Sequence, residues 1–364
     1  MSLNRLRLRH FRLYRQAEVP FSPGVNAVLG ANAQGKTSLL EAVCFLILGR
    51  GLTAPAEMIQ YEESWAEVQG EVTAAGRSLH LRAVVSRQGK RQQFLNGVAG
   101  SAAEIFRLFP VVSFWPSDVV LVHGEPLWRR RFLDAFLARL APGYLADLRA
   151  YRRALLQRNV CLRRDRSEGI EVWEEELARY GSRLIRERLR ILERLRTRAE
   201  KNYSALAGGS EELTIRYSPV GPDPQACDLE QELLELLRRG RPADRQAGYT
   251  RVGPHRDQLE LLVQAREARS WSSRGQQKEV AVALRLAQAQ VTEEILGRKP
   301  LLLLDDIFAE FDARRREWLG EVLESWPQVV VTATETLLLP RRWSGVTAVE
   351  VKGGEIRPLP PAGL

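Results

Sequence analysis

Eight consecutive residues, Gly30-Ala31-Asn32-Ala33-Gln34-Gly35-Lys36-Thr37, constrain this chain more than any other feature in it. They fit the pattern G-x-x-x-x-G-K-[ST] in full. The apolar run Val25 to Leu29 ahead of them predicts a buried strand, and Leu39, Leu40, Val43 and Ile47 behind them recur at helical spacing. A glycine-bounded loop between strand and helix turns its backbone N–H groups toward one point, at the positive end of the helix. Such a cradle takes phosphate. Lys36 then bridges the β- and γ-phosphates of a nucleotide, and the Thr37 hydroxyl ligates Mg²⁺. The expected ligand is ATP, held by Gly30 through Thr37.

A phosphate loop of this kind works with a carboxylate at the end of a second buried strand. Leu301 to Leu304 followed by Asp305-Asp306 fits. Asp305 is the candidate Mg²⁺ ligand and Asp306 the candidate acceptor of a proton from attacking water. Helix capping explains one aspartate well but two poorly. Between the two motifs lies Ser272-Ser273-Arg274-Gly275-Gln276-Gln277-Lys278, about 30 residues before the acidic strand. A hydroxyl and glycine amides at a helix start make a second phosphate cradle, with Ser273, Gly275 and Gln276 as its residues. The segment resembles the signature of ABC-type ATPases, which implies contact with the γ-phosphate of ATP held by another subunit. Ala309-Glu310-Phe311-Asp312 resembles that family's D-loop. Thr332 or Thr334 stands where ABC transporters carry a switch histidine.

The fold class expected is α/β: an ABC-type P-loop ATPase head, a mixed sheet with flanking helices, split by a helical insertion lobe. Alternation predicts a strand through Leu3, Leu6, Leu8 and Phe11, and further strands are expected at Trp65–Val72, Leu79–Val85, Gln92–Leu95, Val111–Phe114, Gly248–Arg251, Leu259–Val263 and Val329–Thr332. From about Pro126 to Leu206 the chain reads as helix, broken at Pro142-Gly143 and at Ser167-Glu168-Gly169. A short helix over Leu229–Leu237 is expected to close at Gly240, and the Pro-rich tail Arg357–Leu364 is expected to be disordered. The corresponding division is residues 1–115 and 241–364 for the two parts of the head, and 116–240 for the lobe. The helices are too short for an extended coiled coil.

The chain carries 54 lysines and arginines against 45 acidic residues, a net charge of +9. Arg179, Arg183, Arg186, Arg190 and Arg194 fall on one helix face, a stripe suited to a phosphate backbone and blind to base sequence. Cys44, Cys161 and Cys227 are far apart and show no zinc spacing, as expected in a reducing cytoplasm. Met1 to His10 has no apolar core of a secretory signal, and the run Val43–Leu48 is far below the ~20 residues of a membrane span, so no membrane association is expected.

Taken with these motifs, the chain resembles the RecF family along nearly its whole length. The likeness rests on Phe11-Arg12-Leu13-Tyr14, on Gly30 through Ala42, on Gly124-Glu125-Pro126-Leu127-Trp128-Arg129-Arg130-Arg131-Phe132-Leu133-Asp134, on Gln157-Arg158-Asn159, and on Gly253-Pro254-His255-Arg256-Asp257. Departures are Ser117 in Pro116-Ser117-Asp118, where the family has Pro-Glu-Asp in the segment expected to sense the γ-phosphate, Gln258 for Asp, and Phe311 for Leu. The resemblance implies a slow DNA-dependent ATPase of recombinational repair that dimerises on ATP. It would bind duplex DNA near single-strand gaps and work with RecR and RecO to load RecA. His255 is read as structural, in a turn where Arg256 and Asp257 pair, rather than catalytic. Arg12 is placed to reach nucleotide or DNA, or to be solvated. A transporter's ATP-binding subunit shares the P-loop and Ser-x-Gly-Gln, but the missing switch histidine, the Arg-rich insertion and the Gly124–Asp134 stretch oppose it. A chromosome-organising head needs coiled-coil arms for which the chain has no room.

Overall fold

The computed structural model describes residues 1–74, 76–164, 169–343 and 346–359. By their contacts these form two compact units. One comprises Met1–Asp118, Ala205–Gly208 and the chain from Arg285 onward; the other comprises Val119–Ser204 and Gly209–Leu284.

The first unit is built on two six-stranded sheets. One is antiparallel, in the order Tyr14–Pro20, Ser2–Phe11, Trp65–Ala74, Arg77–Ser86, Arg91–Leu95, Val98–Ala99. Its strands alternate as the sequence does: Leu3, Leu6, Leu8 and Phe11 are buried while Arg5, Arg7 and Arg9 stay exposed. The other sheet runs Glu355–Leu359, Thr347–Lys352, Gly24–Leu29, Gln328–Ala333, Leu301–Leu304, Val111–Phe114, parallel except for the hairpin at its edge. Leu301–Leu304 and Gln328–Ala333 are buried at every position, the pattern of strands covered on both faces. Gln328–Ala333 thus separates the strand that delivers the phosphate loop from the strand that ends at Asp305. The helix Lys36–Leu48 touches strands of both sheets and is buried nearly all round, which is why its apolar residues are not confined to a stripe. Leu39, Leu40, Val43, Phe45, Leu46 and Ile47 each stabilise that position by about 1.5–3 kcal/mol, anchoring the loop that precedes them.

The second unit contains the helices Pro126–Leu140, Tyr144–Arg163, most of Ile170–Leu206 and Leu229–Ala247, with a small antiparallel sheet of Arg266–Glu267, Gln258–Val263 and Leu213–Ser218. Its largely apolar interior encloses buried charges. Arg158 is fully buried and donates to Asp244 Oδ2 at 2.7 Å, Glu174 Oε1 at 3.1 Å, Thr250 Oγ1 at 2.9 Å and the Leu237 carbonyl at 3.0 Å. Arg188 donates to Asp134 Oδ1 at 2.8 Å, Asp257 Oδ2 at 3.1 Å and the Pro254 carbonyl at 2.6 Å. Arg129 caps the carbonyls of Leu121, Val122 and Gly124. Arg188 thus joins the stretches Gly124–Asp134 and Gly253–Asp257, and Thr250, which binds Arg158 and whose carbonyl accepts from His255, links Gln157–Asn159 to them.

Several expectations change. Residues 241–284 cluster with the helical unit rather than with the head, because Gln258–Val263 pairs with Leu213–Ser218 and the helix Leu229–Ala247 leads into them. That helix does not close at Gly240; it runs through Pro242 to the left-handed cap at Gly248. No strand forms at Gly248–Arg251, whose Thr250 instead hydrogen-bonds Asn159. Arg357–Leu359 is ordered in the edge hairpin against Ala348–Glu350. The rest of the tail from residue 360, and the break at Ser167-Glu168, lie outside the described residues. Among those described, no helix is long and apolar enough to cross a membrane.

Candidate nucleotide-binding site

The phosphate loop is shaped by close backbone approaches. Gly30 has φ 153°, and a Cβ there would fall 2.3 Å from the Val351 carbonyl oxygen of the edge hairpin. Gly35 has φ 118°, and a Cβ would lie 2.8 Å from Tyr14 Oη, which donates to the Gly35 carbonyl at 3.0 Å. Gln34 is tied to the same hairpin, its Oε1 accepting from Gly353 N at 2.6 Å. Lys36 is buried and its Nζ donates to the carbonyls of Gly30 at 2.6 Å and Ala31 at 2.9 Å. Burial lowers its pKa, opposed by Asp306 and Asp305. No side chain caps the helix that begins at Lys36, so its first amides are free for an anion.

Thr37 Oγ1 donates to Asp305, 2.9 Å from Oδ2 and 3.1 Å from Oδ1. Thr332 Oγ1 donates to Asp305 Oδ1 at 2.8 Å and accepts from Asp306 N at 2.8 Å. One hydroxyl from the intervening strand thus orients both acids. Burial raises the Asp305 pKa, with Thr332 and Thr37 opposing it. Asp306 sits in the left-handed region at φ 47°, and its Oδ1 is buried without a hydrogen-bond partner. A buried unpaired carboxylate oxygen is costly and marks a position built for something other than stability. Thr37 and Asp305 supply hard oxygen donors side by side, a set that fits Mg²⁺, which takes one or two protein ligands and fills the rest with phosphate and water.

The loop, Thr37, Asp305 and Asp306 line one open cleft of about 730 Å³, together with Arg12 and Leu13. Arg12 is half-buried and paired: its guanidinium meets the buried Glu41 at 2.8 Å and donates to Thr53 Oγ1 at 3.1 Å. Pro116 reaches the cleft, but Asp118 is turned inward, accepting from Trp115 N at 2.8 Å and paired with Arg285. Ser273, Gly275 and Gln276 belong to the second unit. There Ser273 and Gln276 form a capping box at the start of the helix Arg274–Leu296, with Ser273 N donating to Gln276 Oε1 at 2.8 Å and Gln276 N to Ser273 Oγ at 3.2 Å. Gln276 Nε2 also donates to Glu211 at 2.9 Å. Asp312 of the D-loop-like segment caps the helix Ala313–Glu324. His255 is held structurally, 2.6 Å from Tyr151 Oη and 3.0 Å from the Thr250 carbonyl, but Arg256 and Asp257 do not pair: Arg256 lies over the Tyr249 ring and Asp257 binds Arg188. Sequence reasoning missed the bridging role of Thr332, the Tyr14 support and the Arg285 clasp; only spatial proximity reveals them.

A phosphate loop and an acidic strand separated by a third parallel strand, with a Ser-x-Gly-Gln helix start elsewhere in the chain, define an ABC-type P-loop ATPase head. The model of the RecF/RecN/SMC N terminal domain matches residues 2–351. DNA replication and repair protein RecF of Synechococcus sp. (strain JA-2-3B'a(2-13)) is 36% identical over 372 residues, covering 98% of both chains, and that of Desulforudis audaxviator is 37% identical over 350 residues, covering 93% of this chain and 95% of the relative. The chain belongs to the RecF family. A solved structure of the recombination mediator protein RecF with ATPrS superposes with a TM-score of 0.88 at 29% identity, over 99% of this chain and 98% of that one. A Smc head domain of Pyrococcus furiosus, at TM-score 0.58 and 16% identity over 98% of this chain and 96% of that one, shares the fold.

Proposed function

We propose that this protein is an ATP-switched DNA-binding protein of recombinational repair. It dimerises on ATP, binds duplex DNA near single-strand gaps, hydrolyses ATP slowly, and with RecO and RecR assists RecA loading. The observation that supports this best is the cluster in which Thr37 and Thr332 orient Asp305 while Asp306 keeps an unpaired oxygen. Lys36 exchanges its two carbonyl partners for phosphate oxygens. Thr37 and Asp305 would hold Mg²⁺, which would supply charge neutralisation to the phosphates. Asp306 accepts the proton of the attacking water, and Ser273, Gly275 and Gln276 of a second chain close over the γ-phosphate. Hydrolysis then releases the dimer from DNA.

The test is binding to gapped and blunt duplexes with and without MgATP, for the wild type and for Asp306→Asn. Asparagine accepts the left-handed backbone at this position, so the substitution changes only the chemistry. ATP should strengthen binding, most on gapped DNA. The variant should keep that response while turnover falls by about 10²-fold or more, the scale of a lost general base. DNA binding indifferent to ATP would reject the switch, and normal turnover by the variant would remove Asp306 from its role.

A further inference from the structure

Two peptide groups ahead of Lys36 are held from outside the phosphate loop. The edge hairpin Thr347–Leu359 turns through Gly353-Gly354, both left-handed at φ 59° and 81°, and the amides of such a turn point out of the hairpin's own ladder. Both go to Gln34: Gly353 N donates to its side-chain Oε1 at 2.6 Å, and Gly354 N to its main-chain carbonyl at 3.3 Å. The next carbonyl, that of Gly35, accepts from the Tyr14 hydroxyl at 3.0 Å as well as from Leu39 N at 3.0 Å. Tyr14 is fully buried, while Gly35 and Lys36 line the cleft. In a trans peptide the carbonyl and the following N–H point in opposite directions. A Gln34 carbonyl bonded to the hairpin therefore turns the Gly35 N–H away from the hairpin. A Gly35 carbonyl bonded to Tyr14 turns the Lys36 N–H away from Tyr14. We propose that Gln34 and Tyr14 are positioning residues that hold these two amides in the orientation that receives phosphate before any nucleotide arrives.

This rests on the ATP reading of the cleft and adds to it what keeps the empty loop in shape. Gly35 has no Cβ to restrict its own backbone, so its orientation has to come from its neighbours. A loop without anchors would be ordered by the phosphate itself, and the entropy of that ordering is drawn from binding energy. Packing alone does not account for the two contacts. A phenylalanine at position 14 would fill the same space without desolvating a hydroxyl, and the Gly35 carbonyl is already satisfied by Leu39 N. Gln34 is only half-buried, so burial does not force its two bonds to the hairpin.

The experiment is calorimetric titration of the full chain with MgATP and, separately, with inorganic tripolyphosphate, together with steady-state ATPase kinetics. The variants are Tyr14→Phe, which removes only the hydroxyl, and Gln34→Met, which keeps the length of the side chain and removes its acceptor. Tyr144→Phe is the control: it loses a buried hydroxyl that donates to Asp134 at 2.7 Å in the other unit. Tyr14→Phe and Gln34→Met should each weaken both ligands equally, by about three- to tenfold, the scale of one hydrogen bond. KM for ATP should rise by the same factor with kcat unchanged, because saturating nucleotide orders the loop in any case. Tyr144→Phe should bind both ligands like wild type. Unchanged affinity in both loop variants would overturn the proposal. So would a loss confined to MgATP, a fall in kcat at constant KM, or an equal loss in Tyr144→Phe, which would trace the effect to general destabilisation. A wild-type chain that binds neither ligand would overturn the ATP reading and the positioning roles together.

Discussion

Both ring nitrogens of His255 are engaged, in an arrangement that suits a neutral imidazole. Nε2 donates to the Thr250 carbonyl, so Nδ1 is left to accept from Tyr151 Oη. Burial is the main reason that its pKa falls from 6.5 to about 4; the Thr250 carbonyl opposes the fall and the Arg256 charge adds to it. The folded state therefore resists a proton that the unfolded state takes up. Between pH 6.5 and 4 the unfolded chain binds more protons, so stability rises with pH and is lost as pH falls through that window. The full contribution is roughly 3 kcal/mol, from 1.36 kcal/mol per pKa unit. Urea unfolding at pH 7, 5.5 and 4.5 measures it. His255→Gln should be less stable than wild type at pH 7, and the gap should narrow as pH falls; parallel curves for the two proteins would mean that His255 does not titrate in this range.

The helix Ile170–Leu206 carries its charge on one side and its packing on the other. Arg179, Arg183, Arg186, Arg190 and Arg194 are all exposed, while Leu177, Leu184, Ile191 and Leu195 are buried. Two of the stripe have acidic neighbours, Arg183 to Asp147 at 3.4 Å and Arg190 to Glu187 at 2.8 Å, but exposed pairs of this kind are worth little and yield to a phosphate. Replacing Arg183, Arg186 and Arg190 by Gln should lower the slope of log affinity against log salt by roughly 2 to 3, at about 0.9 per phosphate contact. An unchanged slope would locate the DNA site elsewhere. The same helix marks the limit of what sequence conveys. Strands buried on both faces and the loop between strand and helix are legible because their signals are local: Val25–Leu29, Leu301–Leu304 and the motif at 30–37 each announce themselves within ten residues. Arg188 reads like its neighbours in the stripe, yet it is buried, because Asp134 and Asp257 meet it from 54 and 69 residues away. Thr332 likewise gains its role from Asp305 on an adjacent strand. The edge hairpin at Thr347–Leu359 is hidden for another reason: one of its strands alternates with charge and the other carries Pro358, and both are stabilised by a neighbour at Gly24–Leu29 or by each other.

Lys36 and Ser273 fall in different compact units of the chain, which makes their cooperation a question about the whole molecule. If each ATP is shared between two chains, Lys36→Met and Ser273→Arg should each be inactive as homodimers. Mixed, they should regain activity, since one of the two sites in a heterodimer then has an intact Lys36 from one chain and an intact Ser273 from the other. The expected recovery is at most about half of wild type per dimer, by counting sites under nearest-pair coupling. Heterodimers that form with ATP, seen by light scattering, yet hydrolyse no faster than either parent would refute the shared site. The order of the parallel sheet has a further consequence. The strand Gly24–Leu29 pairs on one side with Gln328–Ala333 and on the other with Thr347–Lys352, and Gly30 packs against Val351. The antiparallel sheet, by contrast, draws all its strands from the first 99 residues. A ribosome making this chain therefore emits a segment able to pair early, and beside it a strand with both edges open until some 300 residues later. The phosphate loop is among the first parts translated and the last to be closed in, so a message cut short near its end yields a protein with every residue of the loop but without the hairpin that packs against Gly30.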